Sequence, residues 1–456
     1  MIQWERTITL AQSWFGCVFG STFVSSSAAF ALFVLAPNAK AQENPAGTWE
    51  AGAATEQLEP PPNVIMGGYG TYLPPVTAKP RRSTGTHDPL QVSALATRGI
   101  RGSILVLAGI DAVGLRDSTT RRIEEALVKD NADIRFVMCA SHSHATPDSF
   151  GLWGALPNES GADPRYLEEI ERKTIRAVQR AVAALRPARL SYGHSEQPVT
   201  VADSLTSATA TWVWAEDAVS GSPIARFTHW NAHPTLLPAE NTLLSADYVG
   251  MYRAFAQRGE DAGAPQIFCN GYLAAVYPVA EGERDDPFDK MTSQPKVDQG
   301  IRRAAFVGHT LADAATAARG KAKPMSETST FLENFSTWLP VTNGLFHILI
   351  RLGMIEGDLV RGHLLTWSGW IKWGPLQAVA LPGEPSRMVA SWFTGDMSDR
   401  GVEHPLVIGQ AGGMTGYLLD PDTEFKTAAY KYQTTVSPSA GAAPALLARF
   451  RDIYWW

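Results

Sequence analysis

The sequence predicts one large α/β domain built on a mixed β-sheet. Short apolar runs, such as residues 104–108 and 134–140, have the length of buried strands, and they alternate with longer segments of helical periodicity. Apolar residues make up 45% of the 456 residues and charged residues 18%, a balance that supports a large packed core. Neither a repeat nor a linker divides the chain, so we expect a single domain over residues 42–456.

The predicted elements follow one another in chain order. Asp163 before Pro164 combines an N-cap residue with a first-turn proline, which indicates the start of a helix. Residues 279–300 are expected to form a surface excursion, and the aromatic, irregular residues 331–374 a lid over the main body. We predict buried strands over residues 104–108, 134–140, 224–231, 266–269 and 376–381, and helices over residues 118–129, 164–186, 248–258 and 301–318.

The first 41 residues have the pattern of a secretory signal peptide. Arg6 gives a weak positive start, an apolar run covers residues 14–35, and a small-x-small cleavage pattern ends at Ala41. Serines within the run favour a cleaved signal over a retained membrane anchor. We therefore predict an exported protein, periplasmic or secreted, that is cleaved near Ala41.

Charge and motifs exclude several function classes. The net charge of −6 and the isoelectric point near 6.0 argue against non-specific nucleic-acid binding and provide no attraction to an anionic membrane. The chain has no Gly-x-Ser-x-Gly elbow, no phosphate-binding glycine loop and no dinucleotide fingerprint. Serine hydrolases and nucleotide-dependent enzymes are therefore poor explanations.

Histidines follow two of the predicted strands. His142 and His144 come directly after residues 134–140, and on an extended backbone both side chains would point the same way. His229 and His233 lie where another predicted strand ends. His233 lies further out and is the better ligand candidate, whereas His229 is the better candidate for a core histidine. Hydrogen-bonded histidines at a loop mouth would explain the first pair equally well.

A third strand end carries a carboxylate. Glu384 follows the predicted strand 376–381 and lies between Gly383 and Pro385, where a solvated turn is the alternative explanation. Ligands bind at the carboxyl ends of strands in α/β folds, because the loops there are free to carry chemistry. Two histidines and one carboxylate are a common catalytic zinc set, so three such strand ends predict a mononuclear hydrolytic site.

Two cysteines remain once Cys17 leaves with the signal segment. Cys139 and Cys269 both lie in apolar, strand-like runs, where buried free thiols are the commonest outcome. A disulfide between them is the other possibility, and the sequence leaves it open.

The chain resembles the neutral/alkaline non-lysosomal ceramidases over residues 50–436. Each matching segment is short, but their order and spacing along the chain make a chance match improbable. The segments are Ala51-Gly52-Ala53-Ala54-Thr55, Met66-Gly67-Gly68-Tyr69-Gly70, Gly85-Thr86-His87-Asp88-Pro89-Leu90, Ala140-Ser141-His142-Ser143-His144, Asn231-Ala232-His233-Pro234-Thr235, Asn241-Thr242-Leu243-Leu244-Ser245-Ala246-Asp247, Leu381-Pro382-Gly383-Glu384 and Gly416-Tyr417.

The resemblance implies a zinc-dependent amidohydrolase that cleaves ceramide or a related N-acyl lipid into a fatty acid and a sphingoid-type amine. His144 and a second tyrosine, Tyr430 with Tyr432 as a rival, would stabilise the oxyanion or pass a proton to the leaving amine. Whether a second ion, Ca²⁺ or Mg²⁺, is bound is left open. One zinc ion is implied, and its implied ligands are His142, His233, Glu384 and Tyr417.

Three departures separate this chain from that family. Residues 271–275 read Gly-Tyr-Leu-Ala-Ala where the family has Gly-Ala-Ala-Gly-Asp. Leu205 and Thr206 stand near a position where the family tends to have arginine. Full-length members carry an immunoglobulin-like domain after the catalytic one, and because this chain ends at Trp456 we expect no such domain.

Two alternatives stay open at this point. The first is a zinc hydrolase for a different acyl amide or ester, which residues 272–277 and 331–374 would distinguish by pocket shape. The second is an exported, non-catalytic binding protein of the same fold. Residues 345–355 and the tryptophans at 367, 370 and 373 form either a lipid-accepting cap or ordinary packing. The expected partner is a lipid-like small molecule, with peripheral membrane contact open and no nucleic acid.

Overall fold

The structure is a computed structural model that describes residues 49–70, 80–100, 102–156, 159–197, 208–259, 261–278, 296–357 and 359–454. These residues belong to one unit, Asn44–Trp456. The predicted signal peptide, residues 279–295 of the predicted surface excursion, and Leu205 and Thr206 lie outside the described residues. In the described part, no helix is both long and apolar enough to cross a membrane.

Seventeen strands and eight α-helices are formed by the described residues, with one 3₁₀ turn at Ala428–Tyr430. The strands are β1 (Trp49–Gln57), β2 (Gly85–Thr86), β3 (Gln91–Arg98), β4 (Ile104–Ile110), β5 (Ile134–Ala140), β6 (Arg186–Gln197), β7 (Ala208–Asp217), β8 (Pro223–Trp230), β9 (Leu243–Leu244), β10 (Gln266–Asn270), β11 (Lys323–Pro324), β12 (Thr330–Pro340), β13 (His363–Trp373), β14 (Leu376–Ala380), β15 (Glu384–Pro385), β16 (Pro405–Ile408) and β17 (Tyr417–Leu418). The helices are α1 (Asp117–Asp130), α2 (Pro164–Ala183), α3 (Tyr248–Ala256), α4 (Lys296–Arg319), α5 (Gly344–Arg351), α6 (Arg387–Ser398), α7 (Lys431–Thr435) and α8 (Ala442–Tyr454).

The predicted elements are confirmed with small shifts of their ends. The α2 helix starts as expected, because the Asp163 side chain accepts a hydrogen bond from the Arg165 backbone N–H and Pro164 opens the first turn. The five predicted buried strands correspond to β4, β5, β8, β10 and β14, and the four predicted helices to α1, α2, α3 and α4.

A mixed sheet of nine strands is the centre of the fold, as the sequence predicts. Its strand order is β10-β8-β7-β6-β1-β3-β4-β5, with β11 paired to β6. The β4–β5 and β8–β10 pairs are parallel and the other pairs are antiparallel. Two consecutive residues of β4 show why its sequence is uniformly apolar: Val106 packs with the helix-side core and Leu107 with the opposite core. A strand buried on both faces needs an unbroken apolar run.

The prediction of an irregular lid over residues 331–374 is wrong. Most of this segment forms β12 and β13, which pair antiparallel from Thr330↔Trp373 to Pro340↔His363. With β14 and β16 they make a second sheet, which packs on the face of the large sheet away from α2 and α4. Burial alternates along much of β12, as expected for a sheet with one buried face.

The two cysteines form a disulfide in this structure. Cys139 in β5 and Cys269 in β10 are bonded across a sequence separation of 130 residues, and both are buried. The expectation that free thiols are the commoner outcome is therefore wrong here. The sequence does not show that these two cysteines are close in space, because β5 and β10 are at opposite ends of the strand order of the large sheet.

Candidate metal centre

Three strand ends bring the predicted histidines and the glutamate together. His142 lies two residues after β5, His233 three residues after β8, and Glu384 begins β15 shortly after β14. All three side chains are buried, with exposed fractions of 4%, 2% and 5%. The sequence-based placement of these residues at one edge of the fold is confirmed by the geometry.

Backbone carbonyls fix how the two histidine rings point. His142 Nδ1 donates to the Val113 carbonyl, and His233 Nδ1 donates to the Val276 carbonyl at 3.2 Å. With Nδ1 held in this way, both Nε2 atoms face Glu384 Oε2, at 3.4 Å for His142 and 3.0 Å for His233. Metal-binding histidines in proteins commonly have this second hydrogen bond, which orients the ring and raises the basicity of the ligating nitrogen.

His142 has a backbone conformation that is rare for its residue type. Its φ is +65°, in the left-handed region, and its backbone N–H donates to the Ala112 carbonyl at 2.9 Å. A non-glycine residue in this region costs of order 1 kcal/mol and persists only where its surroundings enforce it. Such residues concentrate at functional sites, which agrees with a ligand role for His142.

Glu384 is a buried carboxylate that stays ionised. Burial alone would raise its pKa, but the charges and hydrogen bonds of His142 and His233 hold the pKa well below its usual value. The β15–β17 pairing places Glu384 opposite Tyr417, whose hydroxyl donates a hydrogen bond to the carboxylate. Burial, and then the Glu384 charge, raise the pKa of Tyr417 well above its usual value, so this hydroxyl is protonated.

His144 completes the group of imidazoles. Its Nε2 lies 3.4 Å from His142 Nε2, while its buried Nδ1 has no hydrogen-bond partner among the described residues. Burial, followed by repulsion from His142 and His233, lowers its pKa well below the usual value, so the ring is neutral. Gly68, at φ +96°, makes room for this ring, because a β-carbon there would overlap it.

The donor set fits a divalent metal ion. One ligand atom from each of His142, His144 and His233 lies within 4.8 Å of the others, and Glu384 Oε2 adds an anionic oxygen beside two of them. Neutral imidazoles and a carboxylate are the usual ligands of catalytic Zn²⁺. A buried carboxylate without a full cationic partner is costly, and a cation between these atoms would compensate for that charge. The residues can therefore hold a metal.

Of the two candidate second tyrosines, the structure favours Tyr432. Tyr432 lines the same cavity as His142 and Glu384, and its ring lies 6.1 Å from that of Tyr417. Burial, followed by the Glu384 charge, raises its pKa to about 12. Tyr430 is absent from this lining, and its hydroxyl donates to Glu424. The change from the 3₁₀ turn to α7 after Tyr430 sends the two side chains to different sides, which sequence spacing did not reveal.

The candidate metal centre lies in the wall of a largely apolar cavity. The predicted segment 345–355 does line it, through one side of α5 and the turn that follows. The three predicted cap tryptophans do not, because each packs elsewhere: Trp367 under Arg121, Trp370 on Tyr454 and Trp373 on Phe227. The apolar lining residues, which we call the acyl wall, are Val113, Phe150, Leu152, Trp153, Leu345, Phe346, Leu349, Ile355, Met414 and Val436.

Sequence reasoning missed the residues that support His144. Arg81 donates to the carbonyls of both Gly67 and His144, and its guanidinium lies 5.0 Å from the Tyr69 ring. The Tyr69 ring in turn packs edge-on against His144 at 4.9 Å. The Gly-Gly-Tyr motif at residues 67–69 belongs to the family resemblance, but only the fold shows that Tyr69 contacts His144.

Tyr272 lies in the segment 271–275, whose sequence differs from that of the family. It does not line this cavity. It lines a separate cleft together with His194, His229 and His404, which we call the outer cleft. His229 is a core histidine, as preferred from sequence: it is buried and donates through Nε2 to the Val407 carbonyl at 2.8 Å. The expectation that this tyrosine alters the substrate pocket wall is not supported by its position.

Comparison with known proteins identifies the fold. No protein-family model matches the sequence, and no curated protein matches it. Solved structures do match, among them a neutral ceramidase from Pseudomonas aeruginosa, with a TM-score of 0.70 and 15% identity, and a ceramidase complexed with C2, with a TM-score of 0.68 and 14% identity. Each match covers 89% of this chain and 74% of the other. The resemblance predicted from the sequence motifs is thus confirmed at the level of the fold, which is that of the neutral ceramidases.

Proposed function

We propose that this protein is a zinc-dependent hydrolase that cleaves the amide bond of ceramide or a related N-acyl lipid, releasing a fatty acid and a sphingoid-type amine. One observation carries the proposal: His142 and His233 converge on Glu384, and His142 and Glu384 line an apolar cavity. The similarly folded solved structures are ceramidases, which agrees with it. The zinc ligands in this proposal are His142, His233, Glu384 and Tyr417, with His144 close enough to act as a further nitrogen donor.

The acyl wall supports a substrate with a hydrocarbon chain. Ten apolar side chains line the cavity, whereas the polar lining groups are the imidazoles of His142 and His144, the Glu384 carboxylate and two tyrosine hydroxyls. Neither lysine nor arginine occurs in the described lining, so a substrate anion would find no fixed counter-charge there. An uncharged N-acyl lipid, with its chain on the acyl wall and its amide at the metal centre, matches this distribution.

The residues around the centre have separate tasks in the proposed hydrolysis. A zinc ion supplies polarisation of the acyl carbonyl and a lowered pKa for water. His144 presents a neutral imidazole toward the same space and takes part in proton transfer to the leaving amine. The Tyr432 hydroxyl, which its raised pKa keeps protonated, donates a hydrogen bond where negative charge develops on the acyl oxygen. Tyr417 holds the Glu384 carboxylate in place.

A hydrolase for another acyl amide or ester is the second candidate. The acyl wall would contact the hydrocarbon chain of a substrate and does not select the group bonded to its carbonyl. An ester or a simpler N-acyl amine would therefore make the same contacts. A non-catalytic binding protein of this fold has no need for fixed histidine tautomers around a buried carboxylate, and the geometry therefore weighs against it.

Export and contact with a lipid surface are parts of the proposal. The disulfide suits an oxidising compartment, which supports cleavage near Ala41 and a periplasmic or secreted mature protein. On α5, Phe346 and Leu349 face the cavity, while Ile348 on the outer side is 56% exposed. An exposed apolar residue on the helix that walls the cavity supports transient contact with lipid during substrate uptake. N-terminal sequencing of the mature protein would test the export, with Gln42 expected as the first residue.

Metal analysis combined with a substrate panel tests the proposed function. We expect about one zinc per chain, release of fatty acid from a fluorescent N-acyl sphingosine, and loss of both in Glu384→Ala. Zinc binding without hydrolysis of ceramide, but with turnover of another amide or an ester, would favour the second candidate. A purified protein that binds no zinc and hydrolyses none of the panel would contradict both and support the binding-protein alternative.

A further inference from the structure

The segment that follows β10, residues 270–276, contributes no metal ligand but contacts the surroundings of three of them. Asn270 at its start donates through Nδ2 to the carbonyl of Ala140 at 3.1 Å and to that of Ser141. These two residues immediately precede His142. Asn270 is buried, and it therefore fixes the peptide that carries the His142 ligand.

The same segment reaches the other two ligands. The Leu273 backbone N–H donates at 3.0 Å to the carbonyl of Pro385, the residue next to Glu384. The Val276 carbonyl accepts from both the backbone N–H and Nδ1 of His233, at 2.9 and 3.2 Å. Residues 270–276 thus hold the segments of all three ligands in one frame, which we call the ligand frame.

The disulfide joins the ligand frame to the strand that delivers His142. Cys269 directly precedes Asn270, and Cys139 lies three residues before His142. Among the pairings of the large sheet, β5 and β10 are not neighbours, so strand hydrogen bonds do not set their separation. The disulfide and the Asn270 amide are two contacts that span this gap side by side.

We propose that the Cys139–Cys269 disulfide and Asn270 are positioning groups for the metal centre. They hold His142 at a fixed distance from the frame that orients His233 and Glu384. The proposal rests on the proposed function only in requiring that the centre binds zinc. Groups that orient metal ligands without touching the metal typically contribute 10- to 100-fold to metal affinity, because ligands held in place lose less freedom when the ion binds.

The test compares zinc affinity in two variants with that of a stability-matched control. The variants are Asn270→Ala and the double change Cys139→Ala with Cys269→Ala; alanine is used because free thiols would themselves bind zinc. The control is Ile170→Ala, a buried position in α2 within the helix-side core, where truncating an isoleucine destabilises the fold away from the centre. Zinc affinity is measured by competition with a chromogenic chelator, and the visible spectrum of the Co²⁺-loaded protein reports ligand geometry.

We expect zinc affinity to fall about 10- to 100-fold in both variants, with an altered Co²⁺ spectrum, and to stay within about twofold of wild type in Ile170→Ala. Unchanged affinity and spectrum in either folded variant, or an equal loss in the control, would overturn the proposal. The Asn270 variant keeps the disulfide and decides the question if the double variant fails to fold. A wild-type protein that binds no zinc would instead remove the proposed function, and the two failures are thereby distinguished.

Discussion

The apolar cavity and the outer cleft both have histidines in their lining. In the cavity, His142 and His233 donate through Nδ1 to backbone carbonyls and turn Nε2 toward one buried carboxylate. In the outer cleft, His229 donates through Nε2 and leaves Nδ1 without a partner among the described residues. The number of histidines is therefore a poor guide to a metal site, and the carbonyls that fix their tautomers are a better one.

The carboxylates of the two sites differ in the same way. Glu384 is 5% exposed and pairs with imidazoles, whereas Glu403 of the outer cleft is exposed and lies between Lys323, at 3.1 Å, and His404, at 3.5 Å. His194 and His404 lie with ring centroids 4.1 Å apart, and the pKa of His404 is lowered by burial and then by His194. The carboxylate that lines the outer cleft is thus already paired with a lysine, whereas Glu384 is paired with two imidazoles.

The largest expected effect comes from removing the charge of the buried carboxylate. Glu384→Gln keeps the side-chain volume but removes the anion that balances the metal, so we expect the zinc content to fall toward zero and kcat/KM to drop at least about 10³-fold, roughly 4 kcal/mol. Zinc content and steady-state hydrolysis measure both. Glu403→Gln is the matched control in the outer cleft and should change neither by more than about threefold. Equal losses in the two variants would abolish the distinction between the sites.

Tyr432 and Tyr430 allow a second test, which asks which of the two tyrosines acts at the centre. Tyr432→Phe removes a hydroxyl at the cavity without removing a proposed ligand, so we expect kcat to fall about 10²-fold while zinc content stays at the wild-type value. Tyr430→Phe removes a hydroxyl that donates to Glu424, and its kcat should stay within about threefold of wild type. Zinc analysis with kinetics on each variant decides between them. The reverse ranking would restore Tyr430 as the catalytic tyrosine.

Much of the candidate centre could be predicted because its side chains are local features of strand ends. His142, His233 and Glu384 each follow an apolar run, and a run long enough to be a buried strand also indicates where its end lies. The disulfide and the role of Asn270 could not be predicted, because they depend on contacts between strands at opposite ends of the sheet order.

The error over residues 331–374 had a different physical origin. The β12 strand contains Trp338 on its exposed side, at 49% exposure, and so its solvent-facing positions are not uniformly polar. Strand prediction from alternation depends on polar residues facing water, and an exposed tryptophan obscures that signal. For the apolar residues 345–355 the sequence left a cap and ordinary packing open, and the structure places one side of α5 in the cavity lining.

A bulky residue on the inner side of α5 should change chain selectivity by a smaller factor. Leu349 belongs to the acyl wall, and Leu349→Trp would occupy space that a long acyl chain needs. We expect kcat/KM for a long-chain amide to fall about tenfold and that for a short-chain analogue to change less than about threefold, since each methylene displaced from an apolar pocket costs roughly 1 kcal/mol or more.

Ile348→Trp makes the same substitution on the outer side of the same helix and is the matched control. Because Ile348 is 56% exposed, its replacement should leave the ratio of long-chain to short-chain kcat/KM unchanged. A substrate series of increasing acyl length, measured on both variants, gives this ratio directly. A shift of the ratio in Ile348→Trp alone would mean that the chain is bound outside the cavity.

The smallest expected effect lies in the ligand frame, whose residues contact both cavities: Tyr272 lines the outer cleft and Ala274 packs on Tyr417. Ala275 has φ +59°, in the left-handed region that costs an L-residue roughly 1–2 kcal/mol, so Ala275→Gly should relieve strain. Glycine also gains freedom in the unfolded chain, and we therefore expect a net increase of only about 0.5–1 kcal/mol in the free energy of unfolding.

Chemical denaturation of Ala275→Gly and Ala274→Gly separates strain from flexibility. Ala274 is buried and lies outside the left-handed region, so glycine there removes a packed methyl group and relieves no strain, and it should lower the free energy of unfolding by about 1 kcal/mol. If both variants were destabilised, the left-handed conformation of Ala275 would not be strained in solution. Opposite signs would show that the ligand frame holds a conformation its own sequence disfavours, as His142 also does, and that the surrounding contacts determine the geometry of the centre.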